Sequence, residues 1–490
     1  MSEKSKKKID IPPIRDNRLN SIITFGGNVS ELVDLTNKKC LKDKNRSFTQ
    51  TTFCQEWLAL LAFSTVEDTV IISHGPVGCA GSLSVISVFC KFGQMLRGKR
   101  PSNTIGISTN LTQDDVIHGG SEKLKEAILT AQDRHHPKVI FVYTSCVSGI
   151  VGEDIEGVIE EIKDQVQAKV LPVYCEGFKS KIWASGYDGP FHAVLNSVIK
   201  EPEEKQENLV NIINPISFAR ADELELERLL KNLSLEANFI PNFNTIENIA
   251  KASEAALTSS LCTTFSEYFA KTLHKLYGVP FTNKLLPIGL DNTDEWIREI
   301  ASYLGKEKEV EELIRSERDK IQPKIDLIRK ELEGRTAFVS AGQSRAIGIT
   351  NLLADFGMDI IGVTAYHYDE VIFDGVADLE KRCGDFCLNI ANVQPYEQAN
   401  ILEKEKPDFY FGHMGESIWA VKEGFPAAMV FNLSHLIVGY NGAADFGNRT
   451  LNLIKNPSFS KKLSEHSKSP YFKTWFNENP FKYHKEGETL

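Results

Sequence analysis

An α/β fold built from three Rossmann-like or flavodoxin-like parallel-sheet domains is predicted, and three observations carry that prediction. Strand and helix signals alternate along most of the chain, the strand signals run into glycine-rich turns, and 490 residues exceed what one hydrophobic core supports. The first fifty residues (1–50) are polar and are expected to form an extension that wraps a neighbour or stays mobile. A first α/β domain is placed over 51–205. There VEDTVIISHGPVGC is an apolar run ending in a Gly/Pro turn, SEKLKEAILTAQDRH an amphipathic helix, and PKVIFVYTSC a β-branched strand, followed by the helix DIEGVIEEIKDQVQ and the strand KVLPVYC. A second domain, 206–330, repeats the alternation with the strand LVNIINPIS and the helices ADELELERLLKNL and FSEYFAKTLHKLYG. The charged stretch from Gly305 to Gly334 is expected to be a long solvated helix between domains. A third domain and C-terminal tail, 331–490, start with the strand, glycine turn, helix and strand of RTAFVSAGQSRAIGITNLLADFGMDIIGVTAY, and KPDFYFGH and FPAAMVFN supply further strands.

Composition narrows the function. A hydrophobic share of 42% and a charged share of 25% are those of an ordinary soluble protein, and a net charge of -10 gives no electrostatic reason to expect nucleic acid. No apolar run approaches the roughly 20 residues that a bilayer crossing needs, and the basic start has no apolar core behind it. No membrane association and a cytoplasmic location are expected.

The nine cysteines are an odd count in a long chain without an export signal, which argues against a disulfide framework. They are therefore buried small hydrophobes or soft metal ligands. Cys54, Cys79 and Cys146 are too far apart in sequence for a local CxxC knuckle, so context decides. Cys79 closes HGPVGCAG, where glycines and a proline force a tight turn that lets backbone approach a bulky group. Cys146 ends a strand in YTSCVSG, and open α/β sheets bind ligands at the carboxyl ends of their strands. Cys40, Cys90, Cys175, Cys383 and Cys387 have no assignable ligand role.

HGPVGC, then SC with GEDI a few residues on, then CEGF at Cys175 to Phe178 resemble, in order and spacing, the nitrogenase component 1 (MoFe protein) α-subunit superfamily. HGG before a lysine-rich helix, LCTTFSEYFAKTLHKLYGVPF around Cys262, GQSRAIG around Arg345, and the GFPA and GYNG segments extend the resemblance over nearly everything after about residue 20. It implies that Cys54, Cys79 and Cys146 hold one half of a double-cubane P-type iron-sulfur cluster, with the other half supplied by a β-type subunit in an α2β2 heterotetramer. It implies further that Cys262 holds a large iron-sulfur-carbide cofactor, that Arg345 donates hydrogen bonds to that cofactor, and that an ATP-dependent iron protein supplies electrons. Cys262 precedes a predicted helix, whose N-terminal amides favour a thiolate.

Departures from the family pattern matter as much. Val438 stands where the family's histidine ligand is expected; either the loop is rearranged so that the nearby His435 binds, or that ligand is absent. Trp183 and Tyr187 take the places of a glutamine and a histidine that line the pocket in dinitrogen-reducing relatives, and a phenol delivers protons less readily at neutral pH than an imidazole does. They are the candidate catalytic positions. Gly415 takes the place of the lysine that anchors homocitrate, so the cofactor is expected without homocitrate. Three functions follow from the resemblance: a reductase of a small substrate other than dinitrogen, with the carbon-sulfur-cleaving methylthio-alkane reductases favoured; a cofactor-assembly scaffold; and a dinitrogen-reducing α-subunit.

Overall fold

The structure, a computed structural model, describes residues 9, 11 and 14–485 except 103, 432 and 457. Three mainly parallel sheets carry the chain, and the α/β class predicted from the alternation holds. The first has four strands in the order Gly106–Ser108, Thr69–His74, Val139–Thr144 and Lys169–Val173, all parallel. Every position of Val139–Thr144 is buried, because helices cover both faces; this is why VIFVYT is continuously apolar in character rather than alternating. The second sheet has three parallel strands in the order Glu236–Pro241, Gln206–Asn214 and Ala255–Ser260. The third has six: Thr24–Asn28, Cys387–Ala391, Asp359–Ala365, Thr336–Ala341, Phe409–Gly412 and Ala427–Met429. Only the first of these six runs antiparallel to its neighbour.

Three expectations need correction. The polar stretch 1–50 is not a detached extension where it is described. Thr24–Asn28 forms the edge of the third sheet, and the helix Val29–Asn37 buries Val29, Leu32 and Val33 against the same core. Its polar composition reflects an edge strand and a one-sided helix, which need few apolar residues. The charged helix, Glu307–Leu332, is not solvated all round either. Val310, Ile314, Ile321, Ile325, Ile328 and Leu332 form a buried stripe on one side, contiguous with the core shared by the second and third sheets. The third correction concerns apolar length. Among the described residues Val77–Leu96 is long and apolar enough, by length and composition, to cross a membrane. It is folded as two helices, Val77–Ala80 and Ser82–Leu96, which carry Cys79 and present Val85 and Phe89 to an internal cavity.

The N-terminal segment also joins the three sheets. Arg15, with a fully buried side chain, pairs with Asp369 at 2.7 Å beyond the third sheet's strand Asp359–Ala365. Three residues on, Arg18 bridges Asp188 of the first lobe (3.0 Å) and Glu267 of the second (2.9 Å). One short helix, Arg15–Arg18, thus binds all three lobes behind the cavity they enclose.

Candidate metal centres and cofactor cavity

Cys54, Cys79 and Cys146 come from separate elements of the first lobe and meet at its surface. Cys54 caps the helix Gln55–Ala62, and the backbone N–H groups of Glu56 and Trp57 are directed at its sulfur. Cys146 opens the helix Cys146–Val151, fixed by the Ser145 cap. A Cβ added at Gly177 would lie 3.2 Å from the Cys146 sulfur and 3.5 Å from that of Cys54. Both sulfurs therefore border one space that the absent side chain of Gly177 leaves open. Burial, then the adjacent Glu56, push the Cys79 thiol up to about 12, and the charges of Cys146 and Cys54 contribute, which places all three sulfurs in one electrostatic neighbourhood. Glu56 accepts the Cys79 hydrogen bond, and burial raises it to about 7.

Among the described residues no three His, Cys, Asp or Glu side chains converge closely enough to grip a single ion. The cysteines form an open arc, suited to one side of a larger group. Exposed apolar side chains stand near the cysteines in sequence: Val77 two residues before Cys79 on its helix, and Ile150 four residues after Cys146 on its helix. Desolvation favours the protonated thiol at Cys54 and Cys79, and a bound metal would reverse that balance by its own charge.

Where the three lobes meet lies a cavity of about 340 Å3. That is at the lower end of the roughly 300–1,000 Å3 typical of small-molecule sites. Its walls are aromatic, with Phe53, Trp57, Phe89, Trp183, Phe265 and Phe431 prominent. Cys262, Arg345, Trp183 and Tyr187 all line it, so four of the sequence-predicted positions are brought together. Cys262 caps the helix Thr263–Tyr277; burial raises its thiol, while the Thr264 and Ser344 hydroxyls, the Arg345 charge and the Phe265 backbone N–H oppose that rise. Such donors are what a metal-bound thiolate requires. Arg345 donates to the carbonyl of Val430 (2.6 Å) and to the carbonyl (3.3 Å) and hydroxyl (2.9 Å) of Ser217, and its guanidinium lies 4.4 Å from the Phe218 ring centroid. Burial lowers its pKa. Among the described residues lining the cavity there is no Asp, Glu or Lys, and Arg345 supplies a fixed charge.

Tyr187 is 1% exposed and stacks on Phe265 at 4.4 Å; burial raises its phenol, which opposes ionisation. Trp183 packs against Phe53, Trp57 and Tyr366, and its indole Nε1 is buried without a partner. One soft sulfur, one guanidinium, an unpaired indole donor and largely aromatic walls fit a large iron-sulfur group carried on a single thiolate.

His435 is not brought to this site. It is exposed and is not part of the cavity wall. Two histidines that the sequence reading did not select line the wall instead, His367 and His413. His367 sits 3.4 Å from Asp369, inside the Arg15 network. His413 follows the strand Phe409–Gly412, and its ring packs on Phe431 at 4.8 Å; burial and Arg345 lower its pKa to about 4. Strand-end position was the available signal for His413, the same one that identified Cys146. Cys383 and Cys387 fall at a helix end and a strand start, both half-buried.

With the fold and these two centres in view, comparison with known proteins is direct. The chain belongs to the nitrogenase component 1 type oxidoreductase family, whose pattern it matches over residues 54–455. Among its relatives, the nitrogenase iron-molybdenum cofactor biosynthesis protein NifE of Methanococcus maripaludis is 28% identical over 407 residues, covering 81% of this chain and 82% of that one. The nitrogenase molybdenum-iron protein alpha chain of Clostridium pasteurianum is 26% identical over 472 residues, covering 82% and 86%. The solved structure of nitrogenase Cp1 at pH 6.5 superposes with a TM-score of 0.70 at 23% identity, covering 87% of this chain and 93% of that chain, and shares the fold.

Proposed function

We propose that this chain is the α-type, cofactor-bearing subunit of a nitrogenase-like reductase, working in the cytoplasm as an α2β2 heterotetramer with an ATP-dependent iron protein as electron donor. The observation that carries this reading is Cys262, a single thiol on the wall of an aromatic cavity that also holds Arg345, Trp183 and Tyr187. Cys54, Cys79 and Cys146 would hold their half of an iron-sulfur cluster shared with the β-type subunit, and Cys262 the larger iron-sulfur cofactor. When bound, that cofactor supplies electrons and open metal sites. Beyond the donors it gives to Val430 and Ser217, Arg345 would offer its positive charge to an anionic group in the cavity. The aromatic walls exclude water and favour an apolar substrate. Tyr187, held neutral by burial, donates a hydrogen bond and not a negative charge.

A thioether suits such walls better than a charged substrate does. In methylthio-alkane reduction one carbon-sulfur bond breaks, and two electrons and two protons yield a thiol and an alkane. The iron protein provides the electrons. That no lysine is among the described residues of the cavity wall agrees with a cofactor lacking homocitrate. A cofactor-assembly scaffold is the second reading, favoured by the exposed position of His435, which leaves Cys262 alone of the sequence-derived ligand pair at the cavity.

Iron and acid-labile sulfide, measured on the anaerobically purified complex beside Cys262→Ala, test the assignment. Selective iron loss in the variant, together with thiol release from a methylthio-alkane by the native complex alone when the iron protein and ATP are added, is the expected result. Iron loss without turnover, but with transfer of the cofactor to a cofactor-free acceptor, would establish the scaffold reading. Unchanged iron in Cys262→Ala would end both.

A further inference from the structure

We propose that His413, and not His435, presents the imidazole that binds the metal cluster carried by Cys262. The inference rests on the reading above that Cys262 holds a cluster, and it concerns which side chain completes the attachment.

Position comes first. Cys262 lies just beyond the carboxyl end of Ala255–Ser260 in the second sheet, and His413 just beyond the carboxyl end of Phe409–Gly412 in the third. Both belong to the wall of the same cavity. Two parallel sheets thus deliver a sulfur and an imidazole to one space from the strand ends where such sheets bind ligands.

The state of the ring comes second. His413 caps the helix Met414–Lys422, and its carbonyl accepts the Ser417 N–H at 2.8 Å, which anchors its backbone. Its ring lies against Phe431 (centroids 4.8 Å) and meets Tyr366 edge-on (6.4 Å). Among the described residues its ring nitrogens make no hydrogen bond. Packing fixes the ring while leaving nitrogen lone-pair capacity unused, an arrangement suited to a ligand. The alternatives face other groups. His367 shares the cavity wall and its ring nitrogens likewise make no hydrogen bond, but its Nε2 lies 3.4 Å from Asp369, a carboxylate that Arg15, Ser21 and Gln343 also hold, so it stands at the joint between lobes. His435 is exposed and off the cavity wall.

Pulsed electron paramagnetic resonance on the reduced holo complex, grown with 15N-histidine, reads this directly through the hyperfine coupling of a metal-bound nitrogen. The coupling is expected in the native complex, to persist in His435→Asn and to vanish in His413→Asn; asparagine also caps helices, so the fold is favoured. His413→Cys offers a second substitution, with sulfur for nitrogen: the cluster's iron is expected to stay while the nitrogen coupling disappears. Interface-cluster iron, measured in every variant, reports folding. A nitrogen coupling that survives in both His413 variants, or that is lost in His435→Asn, overturns the proposal. Iron that is unchanged in Cys262→Ala would overturn the function proposed above as well, and that result is distinct from a Cys262-dependent cluster whose nitrogen coupling ignores His413.

Discussion

At the scale of single residues, the cavity depends on charges taken out of water with their partners supplied. Arg345 satisfies two backbone carbonyls, those of Val430 and Ser217, besides facing the cavity. Arg345→Met leaves those carbonyls without their donor, and a loss of about 1–3 kcal/mol is expected in denaturant unfolding, together with faster loss of cavity iron to a chelator. Asp222 gives a pH signature. It accepts the Ile437 N–H at 2.7 Å and the Ala219 N–H at 2.8 Å, yet burial raises it to about 6. Because the folded pKa lies above the unfolded one, the fold binds the proton more tightly. The resulting penalty is absent below about pH 4 and complete above about pH 6. Relative to Asp222→Asn, the native protein should therefore lose up to roughly 3 kcal/mol between pH 4 and pH 7, read from denaturation midpoints across that range. Equal shifts in both proteins would refute the assignment.

Among elements, close approach sets the tolerances. Gly186 sits in the turn Trp183–Tyr187, where an added Cβ would be 2.2 Å from the Gln55 carbonyl and 2.7 Å from the Ala59 nitrogen. Both obstacles are backbone of the helix that Cys54 caps, so neither can step aside. Gly186→Ala is expected to destabilise by about 1–3 kcal/mol or more and to displace Trp183 from the cavity wall, visible as a change in tryptophan fluorescence. Gly177→Ala is milder by geometry, 3.2 Å from the Cys146 sulfur and 3.4 Å from the Cys54 Cβ. Its added methyl occupies space between the two sulfurs. The expected outcome is depletion of interface-cluster iron with little change in the melting temperature of the folded chain; full iron occupancy would show that the cluster does not enter this space.

Across the whole molecule, closure of the three lobes depends on the segment Arg15–Arg18. Arg15 and Asp369 are both fully buried. Removing one member of a buried pair costs about 3–5 kcal/mol, because the other charge stays uncompensated. Arg15→Met should lower stability by that order with little dependence on salt, whereas loss of the exposed pair between Lys38 and Asp34 should be nearly silent. Urea unfolding at two ionic strengths separates the cases. If Arg15 only decorated the surface, its substitution would behave like that of Lys38.

The α/β class, the strand ends and the cysteine contexts were legible in the sequence because they are local. A continuously apolar strand such as VIFVYT, a glycine turn such as HGPVGC and an N-terminal helix cap at Cys262 follow from side-chain chemistry over a few residues. The cavity residues Trp183, Tyr187 and Arg345 were legible too, through the order of motifs they stand in. What the sequence left hidden depended on chain segments far apart in number. Thr24–Asn28 looks like a polar extension until it pairs with Cys387–Ala391, more than half the chain away, and the charged Glu307–Leu332 looks solvated until a core receives its isoleucine stripe. The histidine was the clearest case. Sequence proximity pointed to His435, but only tertiary structure could bring His413 to the wall that Cys262 shares, because membership of a cavity is set by how separate sheets pack and not by spacing along the chain.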